Sequence, residues 1–254
     1  MFQTILRTPD VVMIQSEQGW KSAQQQGNIY SNEIGEIQFS LDENCIRVIL
    51  TETCAPLMRV RIRWKGDFHA VKRVLGDSVG VAGGDLAWLP VIPEKPMAWY
   101  FHNFDGTRTH GYGVQTGCNS FCFWQLDFEG ITLVVDVRNG GDGVVLKEPL
   151  HCATVVEREG LDTETAFRAC KAFCSMMCEK PNLPLRPVFG LNNWYYAYGN
   201  ISKESVIEDA CLAAELCQDV PFRPFMLIDD GWQKLRTRSY IGGDRKSTRL
   251  NSSH

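Results

Sequence analysis

Between residues 35 and 156, apolar and polar residues alternate with a period of two, and turn residues interrupt the alternation at short intervals. The clearest run spans residues 58–64, where apolar residues alternate with three arginines. Because successive side chains of a strand point to opposite faces, this run predicts a strand with one buried and one solvated face. Similar runs predict strands over residues 36–41, 45–50, 98–102, 121–128 and 131–137. Many strands with short connections predict a large antiparallel β-sandwich.

The period changes to that of a helix over residues 163–177, behind a polar cap at Asp162 and Thr163. The residues that this period places on one face are Ala166, Phe167, Cys170, Phe173, Cys174 and Met177. We expect this helix to close the sandwich domain. Three prolines between residues 181 and 187 cannot continue it and predict a linker. The first domain is therefore predicted to span residues 1–183.

Beyond the linker the pattern is strand, helix, strand. Short apolar runs at residues 188–191 and 225–228 flank an amphipathic segment at residues 202–217, for which Ser202 is the expected N-cap. An apolar strand after an amphipathic helix is typical of a βαβ unit with parallel strands. Residues 184–243 are thus predicted to be the first βαβ portion of a larger α/β domain, of which the chain holds only the truncated start.

Composition excludes several classes of function. The 254 residues carry a formal net charge of −4, without the clustered basic residues that nucleic acid binding requires. No apolar run reaches the roughly 18 residues of a membrane span, and no signal peptide is recognisable, so we expect a cytoplasmic protein with neither nucleic acid nor membrane as partner. The sequence does not determine the oligomeric state, and a homo-oligomer is compatible with it.

The ten cysteines are scattered and form no CxxC pair, and the histidines form no HExxH motif. We therefore expect reduced, mostly buried thiols and no metal or other cofactor. Cys170, Cys174 and Cys178 recur every four residues; small packing residues are favoured there over a soft-metal site.

The last eleven residues, 244–254, read DRKSTRLNSSH and differ from the rest of the chain because they are polar, basic and without periodicity. They match, in order, the translation of a sequencing adapter. The alternative is a disordered basic tail. We expect these residues to be an artefact and the natural protein to continue beyond residue 243.

Two polar and aromatic clusters follow the two apolar strands of the second domain, at residues 192–196 and 229–232. The carboxyl ends of parallel strands are where (β/α)8 barrels assemble their active sites. Asp229 and Asp230 can accept hydrogen bonds from sugar hydroxyls, and Trp194 and Trp232 offer flat surfaces on which a pyranose stacks. For the acids, the competing interpretations are a helix cap or a loop salt bridge and, less favoured because no further ligand is near, a divalent metal site. For each tryptophan, the competing interpretation is core packing.

The motifs Gly190-Leu191-Asn192-Asn193-Trp194 and Leu227-Ile228-Asp229-Asp230-Gly231-Trp232-Gln233 resemble the opening of the catalytic barrel in the α-galactosidase clan of glycoside hydrolases. Family 36-like members, which include melibiases and raffinose-synthase-like enzymes, have a large β-sandwich before a (β/α)8 TIM barrel. Residues 76–78, 84–88 and 110–114 resemble parts of that sandwich.

The resemblance implies a retaining glycosidase acting on terminal α-galactosides, by hydrolysis or by transfer. It assigns substrate binding to Trp194, Asp229, Asp230 and Trp232. It also implies that the nucleophile and the acid/base lie on later barrel strands, so that no catalytic residue is expected in this chain, which should be inactive by itself. The family commonly has a tryptophan where Leu191 stands, which weakens the assignment of galactose. A non-catalytic carbohydrate-binding protein and a retaining glycosidase for another sugar are the alternatives.

Overall fold

The computed structural model describes residues 2–77 and 86–229. The chain divides into two compact units after Lys180, at the start of the proline-rich segment. Asp230, Trp232 and residues 244–254, which carried predictions, lie outside the described residues.

The described part of the first unit contains fourteen strands and one helix. They are β1 (Val11–Ser16), β2 (Gly19–Ser22), β3 (Gln24–Gln26), β4 (Ile29–Ser31), β5 (Gly35–Leu41), β6 (Ile46–Thr53), β7 (Arg59–Lys65), β8 (Arg73–Leu75), β9 (Met97–Ala98), β10 (Tyr100–Phe104), β11 (Thr109–Val114), β12 (Phe121–Asp127), β13 (Gly130–Asp136), β14 (Leu150–Arg158) and α1 (Ala166–Met177).

These strands form two antiparallel sheets, as the alternating pattern predicts. The six-stranded sheet has the order β2-β1-β7-β13-β12-β9, and the eight-stranded sheet has the order β3-β4-β5-β6-β14-β11-β10-β8. Apolar side chains from both sheets meet in one core, where the Trp124 ring lies 6.3 Å from that of Trp64 and 5.8 Å from that of Phe101. The first unit is thus a mostly antiparallel structure consistent with a β-sandwich.

Strand β7 illustrates how the sequence pattern positions the sheet. Val60, Ile62 and Trp64 are buried, and the alternating Arg59, Arg61 and Arg63 lie half-buried on the opposite face. The predicted strand at residues 98–102 is interrupted, in contrast, because Trp99 adopts a left-handed backbone conformation with φ +65°. The chain there changes from β9 in one sheet to β10 in the other.

Strand β14 lies in the middle of the eight-stranded sheet, between β6 and β11. Its Glu157 side chain also holds the start of the chain, since the carboxylate accepts a 2.6 Å hydrogen bond from the backbone N–H of Ile5 and a second bond from the Thr4 hydroxyl. Burial raises the pKa of Glu157. The hydrogen bonds are the compensation that a buried carboxyl group requires.

Helix α1 packs against β11 and β14, which leaves β11 buried along its whole length. The predicted N-cap at Asp162 and Thr163 was wrong: Thr165 caps the helix by accepting a hydrogen bond from the backbone N–H of Arg168. The predicted face was wrong in part. Its members Phe173 and Met177 are buried together with Ala169, but Phe167 is 76% exposed. The buried stripe follows the spacing i, i+4, i+8, because the helix lies along only one narrow line on the sheet.

All ten cysteines are free, as predicted, but the prediction that most are buried was wrong. Only Cys122 and Cys152 are buried, whereas Cys54, Cys174 and Cys211 are exposed. No helix among the described residues is long and apolar enough to cross a membrane.

The described part of the second unit contains β15 (Gly190–Asn192), α2 (Trp194–Ala197), α3 (Lys203–Leu216) and β16 (Phe225–Leu227). The two strands pair in parallel, and α3 packs against both. Ser202 caps α3, as predicted, and shares a capping box with Ser205. This is the strand, helix, strand order that the sequence predicts.

Glycine at position 190 is required by the close approach of the two strands. A Cβ atom there would lie 1.8 Å from the carbonyl oxygen of Phe225. No side chain fits in that space, so β15 can pair with β16 in this register only with glycine at this position.

Candidate functional site

Two parallel strands bring their carboxyl ends to the same edge of the second unit. Asn192 lies opposite Leu227 in the register, so the residues that follow each strand emerge side by side. Asn193 and Trp194 follow β15, and Ile228 and Asp229 follow β16. The first sequence cluster, residues 192–196, and Asp229 of the second cluster therefore lie at the same edge.

Asn192 connects the two strand ends through its side chain. Its Nδ2 donates a 2.8 Å hydrogen bond to Oδ2 of Asp229, and its Oδ1 accepts a 2.7 Å hydrogen bond from the backbone N–H of Trp194. Both ends of the amide are thus used, which fixes its orientation. The carboxylate of Asp229 and the first turn of α2 are held by the same side chain.

Asn193 is buried and also contacts Asp229. It is only 1% exposed, and its Oδ1 accepts a 3.2 Å hydrogen bond from the backbone N–H of Asp229. Its Nδ2 is buried and has no hydrogen-bond partner among the described residues. A buried amide donor without a partner is costly, and such groups often occur where a ligand or water supplies the acceptor.

Trp194 begins the short helix α2 and is half-buried. Its ring contacts that of Tyr198 edge to face, with the centroids 5.8 Å apart. Tyr198 ends the helix in a left-handed conformation with φ +46°, and Gly199 follows at φ +76°. A bulky residue rarely adopts this conformation, and such strain is found most often at functional sites.

Tyr195 and Tyr196 are 81% and 60% exposed. The Tyr196 hydroxyl donates a hydrogen bond to Asp209 on α3. This hydrogen bond is the main reason that the pKa of Tyr196 is raised to about 12. This contact ties α2 to α3. Tyr196 is thus held as a neutral donor over the physiological pH range.

Of the four residues predicted to bind substrate, Trp194 and Asp229 lie at these adjoining strand ends, while Asp230 and Trp232 are outside the described residues. The sequence reasoning did not assign roles to Asn192 and Asn193, which position Asp229. Two adjacent asparagines directly after an apolar strand were the available signal, since amide side chains there can bond to a neighbouring strand end.

The site offers carboxylate and amide groups beside an aromatic ring, a combination that suits ligands with several hydroxyls. Within residues 2–77 and 86–229, no group of three or more histidine, cysteine, aspartate or glutamate residues could hold a metal ion. No known protein family matches the chain, and no curated protein matches it.

Proposed function

We propose that the second unit is the first βαβ portion of a (β/α)8 barrel and that its strand ends bind the terminal sugar of an α-galactoside. The arrangement that carries this proposal is the hydrogen bond between Asn192 and Asp229, at the carboxyl ends of two parallel strands. Parallel strands connected by a helix are the repeating element of such barrels, and their ligands bind at this edge.

Asp229 is the group on which recognition depends. A carboxylate accepts hydrogen bonds from neighbouring sugar hydroxyls, each worth about 1.5–3 kcal/mol. Asn192 already occupies Oδ2. This hydrogen bond orients the carboxylate, which lowers the cost of ordering it when a sugar binds.

Trp194 supplies the apolar half of the recognition. The edge-to-face contact with Tyr198 restrains the indole ring. A restrained aromatic ring can stack against the C–H face of a pyranose without losing further side-chain freedom. Asp230 and Trp232 come one and three residues after Asp229 in the sequence and are proposed to bind the same sugar.

The activity we propose for the protein as a whole is that of a retaining glycosidase acting on terminal α-galactosides. Such an enzyme needs two carboxyl groups about 5–5.5 Å apart, one as nucleophile and one as acid/base. In the family that the motifs resemble, both come from later barrel strands, so Asp229 binds the sugar and does not attack it. A carbohydrate-binding protein without catalysis would use Asp229 and Trp194 in the same way.

The first experiment is to titrate the chain with methyl α-galactoside and methyl α-glucoside while following tryptophan fluorescence. We expect saturable binding that favours the galactoside, and loss of binding in Asp229→Ala. A matched control is Asp219→Ala, which removes an exposed acid of the same unit. Binding that is unchanged in Asp229→Ala would show that this carboxylate is not part of a sugar site.

A second measurement separates the enzyme from the binder. The chain is incubated with an aryl α-galactoside, and the release of the aryl alcohol is followed. We expect binding without turnover from the residues shown here. Turnover with retention would place a nucleophile and an acid/base within this chain and would contradict our assignment of Asp229 as a binding residue only.

A further inference from the structure

A groove of about 450 Å³ lies on the outer face of the six-stranded sheet, away from the core. We call it the arginine groove; its lining includes Trp20, Arg61, Phe123, Gln125, Asp136 and Arg138. Its volume is within the range of about 300–1,000 Å³ that is typical of small-molecule sites. The proposed sugar site lies in the other unit and does not involve these residues.

The strand register builds this groove. Arg61 lies opposite Met13 on one side and Val134 on the other, and Phe123 lies opposite Val134 on the next strand. Because side chains directly opposite each other share a face, Arg61, Val134 and Phe123 form one row across the sheet. The neighbouring row contains Trp20, Arg59 and Asp136.

Arg61 differs from the two other arginines of β7. Arg63 forms a bidentate ion pair with Asp127, with both N–O distances 2.8 Å, and Arg59 donates to Asp136 at 2.8 Å. Arg61 forms no ion pair with any residue that the structure describes, and its buried Nε has no hydrogen-bond partner there. Its guanidinium lies over the Trp20 ring, 4.6 Å from the centroid.

The charges of the groove favour an anion. Arg59, Arg61 and Arg138 face it, against the single carboxylate of Asp136. Since Arg59 and Arg138 both bond to Asp136, the guanidinium that remains free for a ligand is that of Arg61. A single free guanidinium matches one carboxylate of a monoanionic group, which it can bind through two parallel hydrogen bonds.

Next to the charged residues of the arginine groove lies a group of aromatic side chains. The ring of Phe121 contacts those of Phe123 and Trp99, with centroids 6.3 Å and 5.3 Å away. Phe121 and Trp99 are 38% and 37% exposed, and Trp99 is the residue held at φ +65°. Exposed aromatic side chains beside a strained backbone are unusual on a sheet surface that serves only for packing.

We propose that the arginine groove binds a hexuronate residue of an acidic oligosaccharide. A hexuronate carries a carboxylate for Arg61, which the Trp20 ring holds in place, a C–H face for Phe123, and hydroxyls for the Gln125 amide, all on one rigid ring. An extended acidic peptide fits less well. Strands β7 and β13, which carry the Arg59, Arg61, Val134 and Asp136 of the groove, are each paired on both sides, so these two strands have no free edge with which a peptide could pair.

The test is titration calorimetry of the full chain with tetragalacturonate, and with the neutral tetrasaccharide of galactose as comparison. We expect saturable binding of tetragalacturonate that weakens with added salt, and at least about tenfold weaker binding of the neutral tetrasaccharide. Equal binding of the two oligosaccharides, or no binding of either, would overturn the proposal.

Variants locate the site. Arg61→Met keeps an unbranched stem over Trp20 and removes the charge, and it should weaken tetragalacturonate binding by about ten- to a hundredfold. Arg47→Met is the matched control, since it removes an exposed arginine from the other sheet, where Arg47 lies 3.7 Å from Asp42. Equal weakening in both variants would show that net charge alone attracts the ligand.

Trp20→Ala provides a second, independent variant, which should weaken binding without changing the charge. Thermal unfolding of each variant shows whether the sandwich is intact. Because Asp229→Ala leaves the groove untouched, it should keep full tetragalacturonate binding even if the proposed galactoside site proves wrong. The two proposals can therefore fail separately.

Discussion

Asn192 and Asp229 are thirty-seven residues apart in the sequence, and a 2.8 Å hydrogen bond joins their side chains. The bond depends on the parallel pairing of β15 with β16, which places both residues at the same edge. The position of the carboxylate is therefore a property of the pairing as much as of the residue itself.

Replacing Asn192 by leucine should weaken methyl α-galactoside binding by about tenfold, because Asp229 loses the donor that orients it. Binding is measured by tryptophan fluorescence. Asn200→Leu is the control, since Asn200 is an exposed residue of the same unit. If both variants bound the sugar as tightly as the parent chain, the hydrogen bond would have no role in recognition.

Gly190→Ala should separate the two strands, because its Cβ would lie 1.8 Å from the Phe225 carbonyl oxygen. We expect faster hydrogen exchange of the amides of β16 and loss of galactoside binding, with exchange in the sandwich unchanged. Leu191→Ala, which shortens a side chain that is 37% exposed, is the milder control. Slow exchange retained in Gly190→Ala would contradict the register described above.

His102 should make the sandwich less stable in acid. It is 1% exposed, neither ring nitrogen has a hydrogen-bond partner among the described residues, and burial lowers its pKa from 6.5 to about 4. The backbone of His110 opposes this lowering of the pKa, and the nearby positive charge of Arg158 contributes to it. Between these pH values the unfolded chain binds more protons than the folded one, so the free energy of unfolding falls as the pH is lowered.

The loss should begin below about pH 6.5 and be complete near pH 4, with at most roughly 3 kcal/mol attributable to this residue. Urea unfolding at several pH values measures it. His102→Phe should flatten the dependence over this range. An unchanged slope in His102→Phe would assign the effect to other groups.

Gly111→Ala should destabilise the sandwich by about 1–3 kcal/mol, because the new Cβ would lie 2.6 Å from the ring of Phe173 on α1. Phe173→Leu makes space for the added methyl group. The double variant should therefore lose less free energy of unfolding than the sum of the losses in the two single variants, as measured by urea unfolding. Strict additivity would show that α1 and β11 do not press on each other at this point.

Much of the sandwich could be predicted from the sequence because, in a strand with one buried face, apolar and polar residues alternate with a period of two. Residues 58–64 were predicted as a strand, and β7 spans Arg59–Lys65. The prediction failed where tertiary structure overrides the local pattern. The left-handed conformation of Trp99 divides one predicted strand between two sheets, and only the surrounding packing determines it.

The same limit applies to α1 and to the site. The helical period is compatible with several neighbouring faces, and the narrow contact with β11 selects the one with Ala169, Phe173 and Met177. At the site, the sequence indicated which residues follow the two strands. It did not indicate that Asn192 and Asn193 hold Asp229, because side-chain bonds between strands depend on a register that no local pattern encodes.

The central place of β14 determines when the sandwich can form during protein synthesis. Until this strand has left the ribosome, the group β3 to β6 and the group β8, β10 and β11 are not joined in one sheet. The carboxylate of Glu157, which holds Ile5, also becomes available only then. The first residues made must therefore wait for roughly the hundred and fifty that follow before this carboxylate can hold them.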